Sequence, residues 1–108
     1  MNKIREKLDI INKICEVISD IRNISPTNLM FRANLSPMML KDYKKELLEK
    51  GFIKEIMLPR GSISNGRKLR KDTMSFKLTN KGFEYMKFYE KLTAFKEKYG
   101  LNEEWNLQ

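Results

Sequence analysis

Five cations, Arg60, Arg67, Lys68, Arg70 and Lys71, fall within the thirteen residues of RGSISNGRKLRKD. Like charges held that close repel one another, so their clustering makes sense where a partner neutralises them. A phosphate backbone does this. Each phosphate met by a Lys or Arg releases condensed counterions, and that entropy offsets the repulsion. The pattern widens from Lys41 to Lys71, where ten Lys and Arg face four Asp and Glu. Over 108 residues, 22 Lys and Arg against 14 Asp and Glu give a formal charge of +8, and most of the excess lies in this one region. The balance implies a polyanionic partner, with nucleic acid ahead of an anionic membrane surface.

Other chemistries lack their reagents. There is no His, and the single cysteine, Cys15, rules out an intramolecular disulfide and suits a reducing, intracellular setting. Cys15 falls on the apolar side of a helical pattern, where a thiol acts as a small hydrophobe rather than a nucleophile. No Gly-rich phosphate loop and no metal-ligand spacing occurs. The expectation is a protein that is not an enzyme, with no catalytic residues, metal, cofactor or small-molecule ligand. No apolar run approaches the roughly 18 residues of a membrane span. The opening MNKIREKLDI lacks the apolar core of a signal peptide. No membrane association is expected, and the location implied is the cytoplasm, at the nucleoid.

The basic stretch has to be positioned by its flanks. Ile4, Leu8, Ile11, Ile14, Cys15, Ile18 and Ile21 recur in steps of three and four, which predicts an amphipathic helix over 4–21. Ser25-Pro26 and Ser36-Pro37 each combine a good N-cap with a proline tolerated at the first helical position. The first of these two helices must end near Asn34, which tolerates the left-handed conformation. The second runs to Gly51, where Phe52 is placed to fold back on Leu47. Leu40, Tyr43, Leu47 and Leu48 form its core stripe, and Met38, Lys41, Asp42 and Lys45 lie opposite. FIKEIMLP and TMSFKL read as strands, and Asn65-Gly66 between them is a hairpin turn. An unbroken two-residue turn would pair Glu55 with Phe76. Ile56 is the more apolar neighbour, so a bulge near Gly61 is expected to shift the register by one. LTNKGF starts the last helix, with Thr79 as N-cap and Leu78 and Phe83 at the staple positions.

The predicted fold is therefore mainly α with a small β-hairpin, a winged helix-turn-helix of order α-α-α-β-wing-β-α. It occupies residues 1–100, with a last helix over 79–99 and a short tail over 101–108. In such a fold the third helix enters the major groove by its N-terminal residues. Here these are Ser36, Met38, Met39, Lys41 and Asp42, followed by Lys44 and Lys45. The lysines suit phosphate or guanine, Met38 a thymine methyl and Asp42 a cytosine amino group. No Arg, Asn or Gln stands on this face, so bidentate base contacts must come from the wing. Thr27 and Asn28 open the short second helix, and such an end attracts phosphate. Arg60, Arg67, Lys68, Arg70 and Lys71 complete the expected contacts to double-stranded DNA.

Two segments, TNLMFRANLSPMMLKDYKKELLEKGFI and FKLTNKGFEYMKFYEKL, carry a further signal. They resemble the small archaeal winged-helix DNA-binding proteins, chromatin-type dimers and transcriptional regulators among them. The matching runs are Thr27 to Ser36, Leu47 to Gly51 and Leu78 to Gly82. The resemblance implies DNA binding through the third helix and the wing, and dimerisation through the last helix. Its final helix is shorter, and its wing longer and more basic, than the chromatin-type members show. The stripe Tyr85, Phe88, Leu92, Phe95 and Tyr99 is the expected homodimer seam, with the Phe83 side packed inside the protomer and Trp105 and Leu107 capping the interface. The function expected is transcription regulation, with a chromatin-type coating protein or a winged-helix protein-interaction module as alternatives.

Overall fold

The computed structural model describes residues 3–101, with side chains from Lys7 onward. In chain order the elements are α1 (Lys3–Asp20), α2 (Pro26–Arg32), α3 (Pro37–Glu49), β1 (Ile53–Leu58), β2 (Ile63–Ser64), β3 (Arg67–Lys68), β4 (Thr73–Leu78) and α4 (Asn80–Lys98). This is the expected mainly α architecture with a small antiparallel hairpin and its wing. Ile4, Trp105 and Leu107 lie outside the described side chains.

Local chemistry sets the helix ends. The Oγ of Ser25 accepts from Asn28 N–H and that of Ser36 from Met39 N–H, each at 3.2 Å. Both helices close through paired backbone bonds over a left-handed residue. In α2, Asn34 (φ 57°) donates to Phe31 O at 3.2 Å and Leu35 to Met30 O at 2.9 Å. In α3, Gly51 (φ 80°) donates to Leu48 O at 3.2 Å and Phe52 to Leu47 O at 2.9 Å.

The core is the apolar face of α1 (Ile11, Ile14, Cys15, Ile18) packed with Ile24, Leu29, Leu47, Ile53 and Phe76. Leu40, Tyr43 and Leu48 pack against it from α3, as the stripe predicts. α4 docks on α1 through polar tips as well as rings. The Tyr85 hydroxyl donates to Leu8 O at 2.8 Å, and the Tyr89 hydroxyl meets the Asp9 carboxylate.

Two expectations need correction. β1 and β4 pair with Glu55 opposite Phe76 and Ile56 opposite Ser75, so no register shift occurs. The reason lies outside the strands. Both chains leave the ladder between Leu58 and Thr73 and rejoin as β2 and β3 with the pairing count intact, Ser64 opposite Arg67. Glu55 is accommodated because it stays exposed, and its carboxylate lies 3.8 Å from the Lys44 ammonium of α3. The second correction concerns Phe83, which is 47% exposed rather than packed inside. Tyr85 and Met86 take the inward positions instead.

The start of α4 is locked to the end of α3. Thr79 N–H donates to Phe52 O at 3.2 Å, the Thr79 hydroxyl to Gly51 O, and the Lys81 ammonium to Lys50 O at 2.8 Å. Gly82 sits at this junction, where an added Cβ would lie 2.3 Å from Phe52 O and 3.0 Å from Leu78 Cδ2. The nearer atom is backbone, so the clash is relieved only by moving α4 off the strand. Gly82→Ala is expected to destabilise the fold by about 1–3 kcal/mol despite the better helix propensity of Ala. That should read as a fall in Tm of roughly 4–8 °C per kcal/mol.

Cys15 is fully buried, and burial pushes its thiol up to about 12. An acid whose pKa is raised by folding adds stability that is complete below its ordinary pKa, about 8.5. That stability is lost as pH climbs further, because the unfolded chain gives up its proton first. The urea midpoint should fall with pH above about 9, and Cys15→Ala should make that decline shallower.

Candidate nucleic-acid interface

The exposed flank of α3 is built by its own period. With Leu40, Tyr43, Leu47 and Leu48 turned inward, Ser36, Met38, Lys41, Asp42 and Lys45 face solvent. The two adjacent methionines divide. Met39 packs on the core, and Met38 is 72% exposed. Lys44 is half-buried beside Glu55.

β1 carries the chain back along this helix. After the Gly51 turn, five strand steps cover roughly 17 Å. The twelve steps of α3 cover about 18 Å. The ion pair between Lys44 and Glu55 fixes the two side by side at mid-length. β1 ends at Leu58, and Pro59 and Arg60 lead into the wing.

From there the wing is a ribbon held by its backbone. Ser62 N–H donates to Pro59 O at 3.1 Å, Leu69 N–H to Ser62 O at 2.8 Å and Gly61 N–H to Leu69 O at 2.9 Å. Asn65 (φ 53°) and Gly66 (φ 79°) both take the left-handed conformation that a two-residue hairpin turn requires. Arg60, Arg67, Lys68, Arg70 and Lys71 are all exposed. Among the described residues none of them forms an ion pair, and neither does Lys41 or Lys45. The one acid in the segment, Asp72, accepts from Arg60 N–H at 2.8 Å, so its carboxylate closes the wing's base. In the helical body, by contrast, an acid binds cations. Glu46 meets Lys7 at 2.8 Å and Lys50 at 3.1 Å, which lowers the pKa of Glu46 and raises that of Lys7.

One feature has no counterpart in the sequence pattern. The wing's tip is fastened to the turn between α1 and α2. The Asn23 Nδ2 donates to Ile63 O at 3.1 Å, and the Ser64 hydroxyl donates to Asn23 O at 2.7 Å. A third bond runs from the buried Ser75 hydroxyl to Ile24 O at 2.7 Å. The only sequence hint is Asn23 itself, placed just before the Ser25-Pro26 helix start. These bonds bring the wing next to the N-terminal turn of α2. Thr27 is exposed there, Asn28 is half-buried, and the Asn28 N–H is already given to Ser25.

On α4, Phe88, Phe95 and Tyr99 are 52%, 53% and 58% exposed, with Leu92 half-buried between them. Phe95 and Tyr99 lie 4.7 Å apart by ring centroid, and the Lys98 ammonium sits over the Tyr99 ring at 5.4 Å. Tyr85, the first residue of that stripe, is instead bonded to α1 of its own chain.

Among the described residues no three His, Cys, Asp or Glu side chains are grouped to hold a metal ion. No helix there is long and apolar enough to cross a membrane. A family model described as winged helix-turn-helix matches residues 4–98. No curated protein matches the chain.

Proposed function

Since the chain belongs to the winged helix-turn-helix family, whose members typically bind DNA, we propose that it is a double-stranded DNA-binding transcriptional regulator. In this reading α3 enters the major groove, and the wing follows the backbone and the adjacent minor groove. The observation that carries it is the set of exposed cations without an acid partner. Lys41, Lys45, Arg60, Arg67, Lys68, Arg70 and Lys71 are exposed and form no ion pair among the described residues, and five of the seven fall within the thirteen residues of the wing. Lys44 adds to the field from behind Glu55. Ser36, Met38 and Asp42 are the groove-facing residues of α3, and Thr27 and Asn28 flank them from α2.

The division of labour follows from side-chain chemistry. Lysines neutralise phosphate as point charges, whereas guanidinium groups grip guanine or phosphate in two-pronged fashion. With α3 short of such readers, the wing arginines carry most of the sequence discrimination. A regulator of this kind leaves a discrete footprint on the DNA upstream of its own gene. A coating protein protects that DNA uniformly.

The same reading includes a homodimer of archaeal type, formed along Phe88, Leu92, Phe95 and Tyr99 of α4, with Tyr85 at the inner edge. Three half-exposed aromatic rings along one helix favour a partner surface over solvent. Two copies would present their wings to two-fold related half-sites. The domain would then span residues 1–100 in each protomer, with 101–108 as a tail, in the cytoplasm at the nucleoid.

Two outcomes check the proposal. Replacing Arg67, Lys68 and Arg70 together by Ala should weaken binding to a duplex and reduce the slope of log K against log salt by about 0.9 for each phosphate that is no longer neutralised. An unchanged slope removes the wing from the interface. Phe95→Asp should convert the dimer to a monomer in sedimentation, since a charge there would be buried without a partner. A wild-type chain that sediments as a monomer removes the dimer.

A further inference from the structure

We propose that Asn23 is a positioning residue for DNA binding: it fastens the wing to the α1–α2 turn before DNA arrives and so sets which face of the ribbon its cations present. The proposal rests on the reading of the wing as a DNA contact.

The wing has little else to hold it. Its apolar side chains are Ile63, 53% exposed, and Leu69, half-buried. A short two-stranded ribbon of that composition is marginal in water without support. Yet Ser64, one residue from the hairpin turn, is only 6% exposed. What covers it is the α1–α2 turn, through the pair of hydrogen bonds that Asn23 makes, one from its side chain and one to its carbonyl. Beside these bonds a cleft of about 480 Å³ remains open, lined by Asp20, Ile21, Arg22, Asn23, Ile63 and the Asn65-Gly66 turn. The junction is thus open on one side, with two hydrogen bonds across it.

The fastening also fixes the ribbon's roll. Directly opposed residues share a face, and successive residues alternate. Ser64 is opposed to Arg67, and Ile63 to Lys68. With Ser64 turned into the body, this register sets on which face of the ribbon each wing cation stands. A free ribbon would sample many rolls, and only a fraction of its population would present the cations correctly. Apparent affinity falls by that fraction.

Asn23 is suited to the position by its backbone as well. It sits at φ 58°, in the left-handed region that Asn tolerates better than most residues. Asn23→Gly therefore keeps the turn and the carbonyl that Ser64 uses, and removes only the Nδ2 donor. Ser64→Ala removes the other bond and leaves Asn23 intact. Neither change alters the charge of the chain.

The test uses the full chain and a mixed-sequence DNA duplex, titrated by fluorescence anisotropy across a range of salt. Asn23→Gly and Ser64→Ala are each expected to weaken binding about fivefold, the worth of one ordinary hydrogen bond. The salt slope should stay unchanged, because the same phosphates are neutralised in the bound state. In the DNA-free protein, amide order parameters over Ser62 to Leu69 should fall while those of α1 stay fixed. Affinity within about twofold of wild type in both variants, tighter binding in either, or unchanged wing order parameters would overturn the proposal. Should one variant fail to fold, the other carries the test. The Arg67, Lys68 and Arg70 triple variant separates the two claims. If it leaves the salt slope untouched, the wing is not a DNA contact at all. If it lowers the slope while the Asn23 and Ser64 variants bind normally, the wing touches DNA without needing the fastening.

Discussion

The carbonyl of Phe52 is the point on which the hairpin's geometry turns. It accepts from Thr79 N–H at 3.2 Å and lies where the Cβ of any residue larger than glycine at position 82 would fall. The Thr79 hydroxyl meanwhile donates to Gly51 O and accepts from Gly82 N–H. Lys81 reaches across to Lys50 O and lies over the Phe52 ring at 5.2 Å. One short segment thus joins the end of α3, the start of β1 and the start of α4. Since β1 and β4 enter and leave the hairpin at this junction, it fixes the direction in which the stem leaves the helices. The two Lys-Gly-Phe runs of the sequence, EKGF and NKGF, meet here, each supplying what the other needs. One offers backbone carbonyls, and the other offers hydroxyl, ammonium and an absent Cβ.

At the far end of the stem the constraint has a different character. Near the core, position is set by buried side chains, with Phe76, Ile53 and Leu47 almost wholly enclosed. Past Leu58 there is no enclosed apolar surface, and backbone bonds, the Asp72 carboxylate and the Asn23 pair take over. This division follows from the wing's charge. A segment that carries five cations cannot be buried, because desolvating them would cost far more than the packing returns. Polar bonds at the surface are the remaining means of giving such a segment one shape. Each is worth only about 0.5–1.5 kcal/mol, so the wing is held firmly enough to bias its conformation and loosely enough to adjust on contact.

What is legible in the sequence is whatever local chemistry decides. Ser25, Ser36 and Thr79 act as caps because a hydroxyl beside free N–H groups has a single best use. Asn34, Gly51, Asn65 and Gly66 mark left-handed positions because few other residues tolerate them. The helical stripes place Leu47 and Cys15 inside and Lys41 and Lys45 outside by period alone. The sequence misleads where distant parts of the chain meet. Apolarity alone ranks Ile56 above Glu55 as the partner of Phe76, yet the unbroken pairing count through the wing sets Glu55 there, where it stays exposed. Hydrophobicity alone would bury Phe83, yet Tyr85 holds the inward angle because its hydroxyl finds Leu8 O some 77 residues away. The Asn23 fastening is invisible for the same reason, since no local pattern announces that a hairpin tip will fold over a turn 41 residues upstream. On the interface itself, composition names the cations, and the structure adds which acids hold cations elsewhere.

The pattern of acids bears on how the protein manages its own repulsion. Fourteen acids are available to 22 cations, and their placement decides where the field is strong. Glu46 ties α3 to α1 through Lys7 and binds Lys50 at the helix end, and Glu55 answers Lys44 at the join of helix and strand. These pairs sit around the structural body. At the wing, the one nearby carboxylate is turned to a backbone N–H, where it shapes the base of the ribbon and leaves the guanidinium and ammonium groups unpaired. Pairing those cations internally would have relieved their repulsion, but it would also have set an internal competitor against any phosphate. Leaving them unpaired costs little in water, where charges a few ångströms apart interact by about 1 kcal/mol. It keeps the whole counterion-release term for the bound state. The ion pairs of Glu46 and Glu55 thus hold elements together, while the wing cations stay unpaired for a polyanion.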